Sequence, residues 1–373
     1  MKLAFCDNNG MVYGYATGEP GAGGNGKWKW LLASALTQSG WSVVVGIGQH
    51  LPEAKLDGRS TQLNPNQERV IDGVRFVRLP PGHLILTWSK FLAAERPDWW
   101  YWQGAEAFWG AMVLVAKAMR VRGIYSSAMD ADVQPRLALT RRQRWWPLYA
   151  LGLNAVDRIV LQHRGQLSKL SRRLQPKATV VPGLVSISER VKPQAERGNH
   201  IAWIAFLRQT KRPDLLIEIA RKSPELHFVV CGAISGYRAP VGYSEKMVED
   251  MRSLPNVEYL GHVDQDRTLK IMADAAALLC TADVEGFPNT FLEAWSVGTP
   301  VVSLGIDPGG IIKEKGLGFI SETIDQAVSD IRSLVNTPEV FARASSRSRR
   351  YIEEVHSDAA VARAFNEAIL GVC

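Results

Sequence analysis

The sequence predicts an α/β protein built twice over, as two doubly wound, Rossmann-like domains. Three observations lead there. Short apolar runs alternate with helical patterns along the chain, which implies parallel sheets covered on both faces. That rhythm pauses in a polar segment without periodicity, GLVSISERVKPQAERGN at 183–199, and then restarts. A chain of 373 residues also exceeds what a single core usually organises. The division follows: residues 1–185 as the first domain, 186–199 as linker, 200–350 as the second domain, and 351–373 as a closing helical segment.

In the first domain the strands are read at KLAFCD (2–7), WSVVVGI (41–47), VRFVRL (74–79), PDWWYWQ (97–103), RGIYSSA (122–128) and DRIVLQ (157–162). Helical patterns at 27–40 and 108–120 separate some of them. In the second domain HIAWIAF (200–206), LHFVVCG (226–232), VEYLG (257–261), AALLCTA (276–282) and PVVSL (300–304) read as strands, with helices at 213–222 and 265–275 and another after Asn289. The tail from 336 onward is helical.

Composition excludes several classes. Apolar content of 46% and charged content of 22% describe an ordinary globular chain. The run AFWGAMVLVA at 107–116 ends at Lys117, too short for a membrane span. The N-terminal MKLAFCDNNG reads as a strand and not as a secretion signal. Cys6, Cys231, Cys280 and Cys373 lack metal or disulfide spacing, so reduced cysteines in a cytoplasmic protein are expected.

The most informative stretch is EGFPNTFLEAWSVGTP at 285–300. Glu285 follows the strand AALLCTA through the short link Asp283-Val284, and Glu293 falls inside a helix that Pro288 and Asn289 are suited to open. Between the carboxylates, backbone amides around Gly286 and Phe287 face outward at a helix N-terminus, where phosphate binds readily. Carboxylates suit the hydroxyls of a sugar or ribose, and the amides suit a diphosphate. A nucleotide-sugar combines all three.

This stretch resembles the E-x7-E signature of the retaining family-4 glycosyltransferases with the GT-B fold, down to the turn Gly298-Thr299-Pro300 and the strand Val301-Val302-Ser303. The resemblance implies two Rossmann-like domains facing a central cleft, the first binding acceptor and the second binding a nucleotide-sugar, with a C-terminal helix that crosses back to the first domain. It assigns Glu285 to the donor sugar's hydroxyls and Glu293 to the ribose. In WIAFLRQTKRPDLLIEIA (203–220) the family uses a lysine and an arginine to neutralise the diphosphate. Lys211 falls on the lysine, whereas Phe206 stands where many members carry arginine, leaving Arg208 or Arg212 to substitute. His262 and Val263 match the segment lining the base, and Thr281 matches the small hydroxyl residue four before the first motif glutamate. No catalytic metal and no separate cofactor are expected.

GAGGNGKW at 21–28 spells two motifs that its context opposes. As a dinucleotide fingerprint it lies too far from the strand ending near Asp7, and the next strand ends in Gly46-Ile47-Gly48-Gln49 without an acid. As a phosphate loop it puts Trp28 where a hydroxyl must meet Mg²⁺. The resemblance to GT-B enzymes implies a glycine-rich loop before the first helix, with the backbone of Gly23 and Gly24 approaching donor or acceptor; a plain surface loop is the alternative.

The first domain offers fewer signals. Many family members have a histidine at a strand end near the anomeric carbon, but RGIYSSA runs into Met129-Asp130-Ala131-Asp132. Asp130 or Asp132 could hold an acceptor hydroxyl or the donor sugar, or cap the next helix. Residues 117–177 hold thirteen Lys/Arg against three acids, a local +10 that exceeds the whole chain's +7. RRQRWWPLY at 141–149 sets arginines beside Trp145, Trp146 and Tyr149. That combination suits either an anionic membrane surface or a basic helical face with partly buried tryptophans; no nucleic-acid motif accompanies it. The expected function is transfer of a sugar from a nucleotide-sugar to a glycan or lipid-linked glycan, in the cytoplasm or on the inner face of the membrane. A GT-B sugar-nucleotide epimerase and a catalytically idle assembly partner fit the same residues.

Overall fold

The computed structural model describes residues 1–18, 23–48, 55–56, 59–60, 63–138, 143–234 and 240–371. It comprises two compact units, one of Met1–Leu184 with Asp358–Cys373 and one of Val185–Ser357.

The first unit contains strands β1 (Lys2–Asp7), β2 (Ser42–Ile47), β3 (Lys55–Leu56), β4 (Arg59–Ser60), β5 (Glu68–Ile71), β6 (Val74–Arg78), β7 (Trp99–Gln103), β8 (Arg122–Ser126), β9 (Arg158–Leu161) and β10 (Ala178–Val180). Eight of these form one sheet in the order β10-β9-β8-β7-β1-β2-β6-β5. All its pairings are parallel except β5 with β6. Successive residues feed opposite cores, as the two-residue period of a strand requires. Leu3, Phe5, Val43, Val45, Trp99 and Tyr101 enter one core. Ala4, Cys6, Val44, Trp100 and Trp102 enter the other. A strand buried on both sides is apolar throughout, which is why these runs stood out in the sequence.

The antiparallel β5 was not expected. Its hairpin is closed by Asp72 and Gly73, both at positive φ (48° and 79°). An Asp-Gly pair is a strong signal for such a two-residue turn.

The glycine run is also corrected. A short helix, Met11–Ala16, precedes it, and Gly23 and Gly24 form the opening of the helix Gly23–Gln38 instead of a loop ahead of the first helix. Gly26 has a packing reason: a Cβ there would lie 2.4 Å from the backbone oxygen of Met11. Glycine lets these two helices approach closely.

Helix Asp358–Leu370 returns to cover the first core with Val361, Phe365 and Ile369. The Trp41 indole donates to Asn366 Oδ1 at 2.8 Å, and Arg158 Nε donates to the Ala368 carbonyl at 3.1 Å.

The second unit contains β11 (Ile201–Ile204), β12 (Phe228–Cys231), β13 (Val257–Gly261), β14 (Ala277–Cys280), β15 (Val301–Ser303) and β16 (Gly318–Ile320). They form an all-parallel sheet in the order β13-β12-β11-β14-β15-β16. The same alternation recurs: Ile201 and Trp203 enter one core, Ala202 and Leu278 the other. Helices Pro213–Lys222 and Gln265–Asp274 connect its strands.

Candidate functional site

In the second sheet the first strand, β11, is flanked by β12 on one side and β14 on the other. Connections therefore leave β11 and β14 in opposite directions, opening a crevice at their carboxyl ends, where ligands of open α/β sheets bind. The loops after these two strands carry most of the residues singled out in the sequence.

Side chains tie the loops together. Trp203 Nε1 on β11 donates to Thr281 Oγ1 at 2.9 Å, and that hydroxyl donates to the Lys211 carbonyl at 2.7 Å. The Asp283 amide donates to the Thr210 carbonyl at 3.1 Å. Arg212 pairs with Asp214 at 2.8 Å and Asp283 at 3.1 Å. Held in this way, the Lys211 ammonium forms an ion pair with Glu285. Ala205, Lys211, Thr281, Glu285 and Thr290 help line a cavity of about 20 Å³, room for roughly one water. Burial lowers the Lys211 pKa, and the nearby Arg208 charge acts in the same direction. Arg208 sits with its guanidinium 4.7 Å from the centre of the Phe206 ring. The aromatic residue found where arginine was expected thus becomes a platform for an arginine two positions on. Arg212 is committed to its two aspartates.

The helix Asn289–Ser296 starts where Pro288 and Asn289 were expected to open it, but Pro288 and not Asn289 occupies the N-cap, in extended backbone, and Asn289 is the first helical residue. Proline suits the start of a helix because its missing N–H has no helical partner there. Gly286 and Pro288 are buried just ahead of this N-terminus. Phe287 packs edge-on against Trp295 at 6.2 Å and lies 5.6 Å from the His356 ring, so its side chain anchors the loop.

Glu293 is only 6% exposed. Its Oε1 accepts from Gln265 Nε2 at 3.2 Å. Gln265 opens the helix Gln265–Asp274, which Asp264 caps by accepting from the Arg267 amide at 2.7 Å. His262, exposed, and Val263, half-buried, lie immediately before that cap, at the end of β13. The structure thus joins Glu293 to the segment carrying His262 and Val263 through Gln265, a residue the sequence reading missed. Its position four beyond the end of VEYLG was the available signal.

In the first unit, Asp130 follows β8 and receives His163 Nε2 at 2.9 Å and Lys169 Nζ at 2.5 Å. Burial alone would raise its carboxyl pKa, but these two partners bring it down to about 2. Asp132 accepts from the amides of Ala128 (2.7 Å) and Met129 (3.0 Å), so it closes the turn. Burial pushes its carboxyl up to about 6 against those hydrogen bonds. His163 was missed, although it stands just past DRIVLQ, at the carboxyl end of the neighbouring strand. It lies after β9, and through its contact with Asp130 it comes beside the turn that follows RGIYSSA. Arg141 and Arg142 lie outside the described residues. Among the described residues, no group of three or more His, Cys, Asp or Glu is placed to hold a metal ion.

Residues 187–351 match the family described as glycosyl transferases group 1. A relative from Staphylococcus aureus, a poly(ribitol-phosphate) alpha-N-acetylglucosaminyltransferase, is 29% identical over 161 residues, 42% of this chain and 32% of that protein. The chain covers between 32% and 58% of the length of the curated relatives it matches. Sucrose-phosphate synthase from Thermosynechococcus elongatus superposes with a TM-score of 0.79 at 14% identity, over 100% of this chain and 98% of that one. HepE from Anabaena, solved in complex with UDP, superposes with a TM-score of 0.72 at 13% identity over the whole of both chains. These superpositions extend across both units, so the chain has the GT-B fold, and the match to the glycosyl transferases group 1 family falls in its second unit.

Proposed function

We propose that the protein is a retaining glycosyltransferase that moves a sugar from a nucleoside-diphosphate sugar to a glycan or lipid-linked glycan. The observation that carries this reading is the convergence of Lys211, Glu285 and the N-terminus of Asn289–Ser296 on one switch point, with Glu293 one turn further in. The Lys211–Glu285 pair is suited to opening around a donor: Lys211 turns to the diphosphate and Glu285 to the sugar hydroxyls, with the amides near Gly286 on the remaining phosphate oxygens. Arg208, resting on Phe206, is the second cation. Asp130 is assigned to the acceptor side, oriented by His163 and Lys169.

A retaining transfer needs no strong protein base. The bond from the anomeric carbon to the phosphate oxygen breaks, the acceptor oxygen attacks on the same face, and its proton passes to the departing phosphate. The protein positions the reactants and stabilises the charge that grows on the diphosphate, without a catalytic metal in this reading. The relatives support the substrate class: HepE binds UDP, and the Staphylococcus enzyme's name specifies a sugar transfer to a polymer.

The test is a panel of UDP-, GDP- and ADP-sugars scored by thermal stabilisation, with UDP-sugars first, followed by product analysis with and without glycan acceptors. One nucleotide series should stabilise the protein, and the product should keep the donor's anomeric configuration. An inverted product overturns the retaining assignment. Donor isomerised without acceptor identifies an epimerase, and binding without turnover identifies an idle partner.

A further inference from the structure

The chain has twelve tryptophans. Ten are buried; the other two, Trp145 and Trp146, stand side by side at 42% and 36% exposure. They do not stand alone. Met129, Leu137 and Leu151 are 41%, 53% and 48% exposed, so five of the fourteen exposed large apolar side chains among the described residues fall within 129–151. The helix Pro135–Ala138, which carries Leu137, contacts both the turn Gln143–Trp145 and the helix Trp146–Ala155, so Leu137 and the two tryptophans come from packed elements. Arginines sit on the exposed rings, with the Arg136 guanidinium 5.3 Å from the Trp146 ring centre and Arg144 5.8 Å from that of Trp145. The surrounding stretch 117–177 carries the local charge of +10.

An apolar cluster of this size on a face of its own chain carries a desolvation cost unless something covers it. Tryptophan is the side chain that prefers the boundary between headgroups and acyl chains, and arginine is drawn to anionic lipid. No helix among the described residues is long and apolar enough to cross a membrane. We propose that this face of the first unit is a peripheral docking surface for an anionic lipid bilayer, with Trp145, Trp146 and Leu137 entering the interface and Arg136 and Arg144 on the lipid phosphates. The donor site takes no part in this argument, so either reading can fail without the other.

The experiment is sedimentation of the full chain with phosphatidylcholine vesicles, with and without phosphatidylglycerol, at low and high salt. Wild type binds the anionic vesicles, and part of that binding survives high salt, because apolar insertion is not screened. R136Q/R144Q loses about fivefold per arginine, roughly 25-fold together, at low salt. W145S/W146S loses the salt-resistant part, on the order of tenfold or more. Because all four side chains are exposed, both variants should unfold at the wild-type temperature, and a variant that does not is replaced by W145F/W146F, which keeps the apolar body and should bind. Wild type that ignores anionic vesicles at low salt overturns the proposal. So does a W145S/W146S protein that binds as wild type does, which would leave only a basic face. Binding to a short single-stranded oligonucleotide with no binding to vesicles would likewise overturn it.

Discussion

Replacing Glu293 by glutamine should weaken nucleotide binding while leaving the fold intact. The carboxylate is 6% exposed and accepts from Gln265 Nε2 at 3.2 Å. Glutamine keeps the volume, so it opens no cavity in the helix Asn289–Ser296, and it removes a buried charge whose desolvation opposes folding. Gln265 is itself exposed, so its amide can turn to water if the new side chain presents its NH₂. The unfolding temperature should therefore hold or rise. On the proposed assignment, what is lost is a hydrogen bond from a ribose hydroxyl to a charged acceptor, worth about 1.5–3 kcal/mol, or roughly 10- to 150-fold in affinity. Calorimetric titration with the nucleoside diphosphate that the stabilisation panel selects measures this directly, and the same titration on Gln265→Ala should show a smaller loss, since Gln265 orients Glu293. Glu285→Gln, by contrast, should retain affinity for the same nucleotide and lose turnover of the sugar donor. Unchanged affinity for that nucleotide in a folded Glu293→Gln protein would refute the ribose assignment.

Lys211→Ala should lower kcat strongly, because it removes charge stabilisation that grows as the diphosphate leaves; Arg208→Ala should cost more than Arg212→Ala, whose guanidinium is already held by Asp214 and Asp283. Equal activity of Arg208→Ala and wild type, read by initial rates, would place the second cation elsewhere. Gly26→Ala should destabilise the first unit by about 1–3 kcal/mol through collision with the Met11 carbonyl, lowering the unfolding temperature without changing UDP affinity. For Asp132, burial raises the folded pKa to about 6 from an ordinary value of 3.8. Its contribution to stability is thus fully present below pH 3.8 and is lost as pH rises through 6, about 3 kcal/mol in all. Denaturant titrations across that range should show the slope in wild type and a flatter profile in Asp132→Asn.

Nearly all the strands that carry the site were legible because both their faces are buried, which forces continuous apolar runs bounded by polar loops. Helix Pro213–Lys222 was legible to the residue, its start marked by proline. The elements missed were those whose stability comes from neighbours. The helix Met11–Ala16 is six residues long and persists by packing on the helix containing Gly26, so no local periodicity announced it. The glycines were consequently read as a loop, when Gly26 is there to let two helices touch.

The sequence by itself determined the fold class and the local relation of Glu285 to Glu293, because the two glutamates and the start of the helix Asn289–Ser296 lie within nine residues and secondary structure fixes their relation. Only the tertiary structure decided which distant groups meet them. Lys211 reaches Glu285 across seventy-four positions because β11 and β14 are adjacent, Gln265 reaches Glu293 because their helices pack, and His163 reaches Asp130 because β9 lies beside β8. Strand order is set by how crossovers bury apolar faces against one another, a property of the whole sheet that no single stretch of chain encodes.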